Sequence, residues 1–154
     1  MFFRKKKEET TPKKELLYRE NIRVNCTPDT QENVIRRVGR MLVDTGYVDE
    51  PYIEAMIKRE QSFSTYMGND LALPHGVEEA KKDIKASGIA VMVFPEGTEW
   101  GGQKAKVVIG IAGVGEEHLQ ILSIIADKML APEAADELVK GDVETVYRIL
   151  GGKE

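Results

Sequence analysis

Gly68-Asn69-Asp70-Leu71-Ala72-Leu73-Pro74-His75-Gly76 decides how the rest of the chain is read. Leu71-Ala72-Leu73 is an apolar run long enough for one buried strand and too short for a helix. Pro74 ends it, because proline brings no N–H to a ladder and pushes the preceding residue toward an extended conformation. His75 therefore stands at the mouth of a strand, with Gly76 leaving room for close backbone approach. Spacing alone leaves two readings open: an imidazole presented to a partner, or a loop histidine that happens to follow a proline.

Working outward, the chain is one domain by length, 154 residues, with 42% hydrophobic and 31% charged residues. A net charge of −4 speaks against nucleic-acid binding, which needs a basic surface to meet phosphates. The single cysteine, Cys26, excludes an intrachain disulfide and any multi-cysteine metal site, and points to a reducing, cytoplasmic setting. No apolar run approaches the roughly 18 residues of a membrane span, so no membrane insertion is expected. Residues 1–18 are charged and patternless and are expected to form a mobile tail, with the domain occupying 19–154.

Asn21-Ile22-Arg23-Val24 alternates as an edge strand does. Asp29 with Glu32 resembles a capping box, and Val34, Val38, Met41 and Leu42 behind it give a helical apolar stripe that Gly46 ends. Asp49-Glu50-Pro51 opens a second helix with Ile53, Met56 and Ile57 inward and Lys58-Arg59 in its last turn. Residues 61–70 read as polar and turn-rich, and 77–85 as a helical turn. The runs 87–94 and 105–112 are apolar on both faces, which predicts central strands covered by helices on each side. Between them 95–102 reads as a loop carrying an exposed Trp100. A long helix follows Gly113-Val114-Gly115, with a stripe of Leu119, Leu122, Ile125, Ala126 and Met129; shorter helices cover 132–139 and the stripe Val143, Val146, Tyr147, Leu150, the latter capped by Asp142. This order predicts an α/β fold, a three-layer α/β sandwich with a small mixed β-sheet flanked by helices.

Only two histidines are present, and His118 falls in the first turn of the helix after a strand. The positive end of that helix would keep the imidazole neutral and attract an anion; a first-turn residue on a solvated face is the equal alternative. Two strand-end histidines could meet at the carboxyl edge of a sheet, where α/β sites are built. An imidazole pair near a guanidinium suits a phosphoryl group. No zinc-type ligand spacing, Gly-x-Ser-x-Gly elbow, Walker loop or dinucleotide fingerprint occurs, so neither metal nor nucleotide cofactor is expected.

The opening nine residues resemble the signature of the enzyme IIA domains of the mannitol–fructose class of the bacterial sugar phosphotransferase system. The resemblance continues through Phe94-Pro95-Glu96-Gly97, the strand from Val107 to Ala112, and Gly115-Glu116-Glu117-His118-Leu119-Gln120-Ile121-Leu122. Tyr47-Val48-Asp49-Glu50-Pro51-Tyr52-Ile53-Glu54-Ala55-Met56 and the Trp100 region look like the mannitol branch. The resemblance implies that His75 accepts phosphate from the carrier HPr and passes it to a cysteine of an enzyme IIB domain. It implies further that His118 orients or stabilises the phosphoryl group and that Arg59 neutralises its charge. A monomer in isolation is expected. The runner-up is a regulatory IIA-like domain whose phosphorylation state is read by a transcription factor or transporter. Leu71, Leu73, Val77, Met67 and Tyr66 are candidates for an apolar rim around His75.

Overall fold

The computed structural model describes residues 14–151. Five strands form one mixed sheet in the order β1-β4-β5-β3-β2. These are β1 (Ile22–Arg23), β2 (Tyr66–Gly68), β3 (Leu71–Ala72), β4 (Gly88–Trp100) and β5 (Gln103–Ala112). β4 and β5 are antiparallel, with Val91 opposite Ile109 and Met92 opposite Val108. β3 lies parallel to β5 and β1 parallel to β4, so the two long apolar strands are central and the short ones flank them.

Side chains of a strand alternate between faces, and here the alternation feeds two cores. Ala90, Met92 and Phe94 face one helical layer, α1 (Gln31–Asp44) and α2 (Pro51–Ser62). Ile89, Val91 and Val93 face the other, α3 (Glu117–Lys128), α4 (Glu133–Lys140) and α5 (Val143–Leu150). The expected three-layer sandwich is what forms. Gly110 in β5 lets α1 approach, since an added Cβ would sit 2.9 Å from a methyl of Val38.

Several local expectations are corrected. The α1 cap is Thr30, whose hydroxyl accepts from Asn33 N at 3.2 Å, while Asp29 accepts from Thr30 N and the Asn33 amide just outside it. The polar stretch 61–70 contains β2, which pairs antiparallel with β3. Asn69 and Asp70 turn that hairpin with positive φ at both positions, as a two-residue primed turn requires. Residues 95–100 are not a loop: β4 continues through a register shift to Trp100 and turns at Gly101-Gly102, both with positive φ. Trp100 is fully buried, and its indole N–H donates to Glu60 Oε2 at 2.9 Å.

On α3 and its C-cap Met129, Ile121, Ile125 and Met129 are buried and the expected Leu122 packs with them, whereas Leu119 is 67% exposed. At the N-terminus, Leu17 is completely buried and Ile89 N donates to the Leu16 carbonyl, so the packed chain includes part of the expected 1–18 tail. Residues 1–13 lie outside the described residues. Among the described residues no helix is long and apolar enough to cross a membrane.

Candidate active site

β3 runs parallel to β5, and past its end at Ala72 the chain continues alongside β5 to His75, opposite Ile111; His118 follows the carboxyl end of β5. After β3, Leu73 N donates to Thr65 O, and Ile111 N donates to Pro74 O at 3.0 Å, so proline removes a donor without leaving the segment unpaired. His75 forms an isolated parallel bridge with Ile111. Its Nδ1 is 2.8 Å from the Leu73 carbonyl. A carbonyl only accepts, so Nδ1 carries the proton, and Nε2 of the neutral ring keeps its lone pair.

His118 reaches the same place by a different device. β5 ends at Ala112, and α3 begins at Glu117 after a turn through Gly113 and Gly115. A Cβ on Gly113 would lie 2.4 Å from His118 Cα and 2.6 Å from its N. Only glycine lets the helix start press this closely on the strand end. Ser87, just before β4, fastens the turn from outside: its Oγ accepts from Val114 N at 2.9 Å, and its hydroxyl donates to the Glu117 carboxylate. The result is a pair of imidazoles with ring centroids 4.9 Å apart and planes tilted by 58°. The structure brings both expected histidines together.

Arg59, in the last turn of α2, donates through Nη1 to Phe63 O at 3.0 Å, and its guanidinium lies 5.8 Å from the Phe63 ring centroid. Among the described residues it makes no ion pair. Its charge acts on both imidazoles and lowers the proton affinity of each. Next to it, Glu60 accepts from Thr65 N, Thr65 Oγ1 and Trp100 Nε1, which ties the end of α2 to the β2 hairpin and β4.

Burial is the largest cause holding His75 below the ordinary imidazole range; the Leu73 carbonyl opposes it and Arg59 adds to it. His118 is likewise lowered, first by burial and then by the nearby charge of His75, with Lys81 and Arg59 contributing and Glu78 opposing. The expectation that the helix terminus would keep His118 neutral reaches the right state, but desolvation leads the causes. Two imidazoles held below their ordinary range and within reach of the Arg59 charge make a site that favours an incoming anion over a proton. Among the described residues no group of three or more His, Cys, Asp and Glu is placed to hold a metal.

Sequence reasoning singled out Gly113 in the turn before His118 but missed Ser87, Glu60, Glu117 and Tyr52, whose hydroxyl accepts from Gly76 N beside His75. Tyr52 adjoins the inward stripe of α2, so a buried hydroxyl there was the one available signal. The Ser87–Glu117 pair joins distant segments and leaves no periodic trace. Of the rim candidates, Leu71 and Leu73 are core residues, while Met67 is 55% exposed; Phe63 (71%), Leu119 (67%) and Val114 (45%) are further exposed apolar residues on or next to the site's own elements.

Residues 15–152 match the family model described as phosphoenolpyruvate-dependent sugar phosphotransferase system, EIIA 2. The mannitol-specific phosphotransferase enzyme IIA component of Bacillus subtilis strain 168 is 47% identical over 131 residues, covering 84% of this chain and 92% of that protein. The component of the same name from Staphylococcus aureus strain Mu50 is 45% identical over 126 residues, covering 82% of this chain and 88% of its own. Among solved structures, the complex of enzyme IIAMTL and phosphorylated enzyme IIBMTL from Escherichia coli is similar with TM-score 0.83 at 33% identity, covering 89% of this chain and 98% of that chain. The crystal structure of IIA mannitol from Escherichia coli gives TM-score 0.81 at 34% identity, covering 87% and 98%. The nitrogen regulatory protein IIA-Ntr of Neisseria meningitidis, at 21% identity and TM-score 0.75 over 88% of this chain and 96% of that one, shares the fold. A match over nearly all described residues, together with relatives this similar, places the chain in the EIIA 2 family of the phosphoenolpyruvate-dependent sugar phosphotransferase system.

Proposed function

We propose that this chain is a mannitol phosphocarrier that takes a phosphoryl group from HPr onto His75 Nε2 and hands it to a cysteine of an enzyme IIB domain. The observation that carries the reading is the ring pair: His75, its Nδ1–H committed to the Leu73 carbonyl, faces His118 at 4.9 Å between centroids. The relatives' shared name supplies the sugar, and the solved complex with a phosphorylated IIB supplies the acceptor class.

The chemistry is in-line transfer. The Nε2 lone pair of His75 attacks phosphorus while the donor's N–P bond breaks and its electron pair returns to the donor imidazole. Positive charge appears on the His75 ring as the new N–P bond forms, and the Leu73 carbonyl accepting from Nδ1–H stabilises it. Arg59 balances the charge on the phosphoryl oxygens, and the neutral His118 ring has an N–H to donate to them, in a half-buried site where water screens weakly. Onward transfer reverses these steps, with a IIB thiolate attacking phosphorus and His75 leaving as a neutral ring. Phe63, Met67 and Leu119 offer the apolar contacts that two successive protein partners would share.

Incubation with phosphoenolpyruvate, enzyme I and HPr, followed by intact mass measurement, tests this. One phosphate is expected on the wild type, none on His75→Ala, and slow transfer by His118→Ala. Wild-type protein that takes up no phosphate would overturn the proposal.

A further inference from the structure

Tyr52 sits near the start of α2 and is 2% exposed, yet its hydroxyl makes two hydrogen bonds to backbone far away in sequence. It donates to the Ile111 carbonyl at 2.8 Å and accepts from Gly76 N at 2.9 Å. Gly76 is the residue after His75. Ile111 pairs with His75 and lies two residues before Gly113, where the turn to His118 begins. One oxygen therefore joins the segment carrying the first histidine to the strand that launches the second. We propose that the Tyr52 hydroxyl is a positioning group for phosphoryl transfer, holding the His75 peptide in register with the end of β5 so that the two imidazoles keep their spacing. This rests on the phosphocarrier reading.

Two further observations support it. A Cβ on Gly76 would lie 2.5 Å from the Tyr52 ring, so glycine is required for the ring to back the peptide at this distance. Desolvation pushes the Tyr52 phenol up to about 12, so it stays protonated and continues to donate to Ile111 throughout the working pH range. The fold could satisfy these two backbone groups with water or with a ladder partner. A rigid ring anchored in the α1–α2 core fixes their positions as well, and fixed geometry is what in-line transfer needs.

Tyr52→Phe removes the oxygen and keeps the ring. Its expected result is a fall of about tenfold or more in the transfer rate at saturating phospho-HPr, with little change in KM. In the unphosphorylated protein, ¹⁵N shifts of the His75 ring should lose the purely Nδ1–H signature. Val146→Ala, a truncation of a buried residue of α5 in the opposite layer, serves as a stability-matched control and should show neither effect. Replacing Tyr52 by 3-fluorotyrosine, which keeps a hydroxyl, should preserve the wild-type rate and covers the case in which the phenylalanine variant folds poorly. Wild-type rate and tautomer in Tyr52→Phe would overturn the proposal, as would an equal loss in Val146→Ala or in the fluorotyrosine protein. If the wild type accepts no phosphate, the phosphocarrier reading fails by itself, while the ring shifts still report on Tyr52.

Discussion

Gly113→Ala probes the close approach of α3 to β5, and its effect can be worked from distances. The added methyl would meet His118 Cα at 2.4 Å and N at 2.6 Å, against ordinary contacts of 3.4 Å or more. Backbone cannot swing aside as a side chain can, so the first turn of α3 must withdraw by about 1 Å from the strand end. A displacement of about 1 Å at reacting groups costs on the order of 10²-fold in rate. Overpacking of this kind costs about 1–3 kcal/mol, of which the stiffer unfolded chain of alanine returns about 0.4–1 kcal/mol. The variant should therefore fold, melt a few degrees lower, and transfer phosphate about as slowly as His118→Ala. Adding Gly113→Ala to His118→Ala should slow it little further, because both act through the same ring. Rapid-quench phosphotransfer from HPr, well below the melting temperature, measures this. A Gly113→Ala protein that transfers at the wild-type rate, or a double variant whose losses multiply, would refute the reasoning.

Other outcomes follow from the same geometry. Arg59→Gln removes the charge that acts on both rings and should slow transfer by about 10²-fold or more while leaving the melting temperature nearly unchanged, as rapid-quench and thermal scans can show. Glu60→Gln faces an amide toward donors that now meet a carboxylate, and should cost about 2 kcal/mol in urea unfolding followed by Trp100 fluorescence. Both histidines titrate below their ordinary value of 6.5 in the fold, so the unfolded chain binds more protons in the window beneath it. Stability should thus be steady above pH 6.5 and fall on acidification toward 5, before the carboxylates respond, and the slope should flatten in the His75→Ala, His118→Ala double variant.

The layers and the central strands were legible because burial imposes period on sequence: two continuous apolar runs could only be covered strands, and the stripes of α1 and α5 named their own inward faces. Where the pattern failed, a long-range partner had decided. Trp100 reads as exposed beside three glycines, yet Glu60, forty residues upstream, takes its indole N–H and makes burial favourable. Of the expected α3 stripe, Leu122, Ile125 and Met129 pack inward but Leu119 does not, because the start of the helix is fixed by Gly113 and Ser87 rather than by the apolar residues themselves. Leu17 packs under a sheet whose existence depends on residues 88–112, so nothing local distinguishes it from the charged residues before it. His75, His118 and Arg59 could be named from motif, but not the tautomer, which depends on the Leu73 carbonyl pointing back at the ring.

Which nitrogen carries the phosphate tests the account most directly. With ¹⁵N-labelled protein phosphorylated through HPr, ³¹P–¹⁵N coupling and ring shifts identify the bonded atom. The Nδ1–H···O=C contact of His75 with Leu73 predicts one phosphoryl group on His75 Nε2, with Nδ1 still protonated. A phosphoryl group on His75 Nδ1, or on His118, would contradict it.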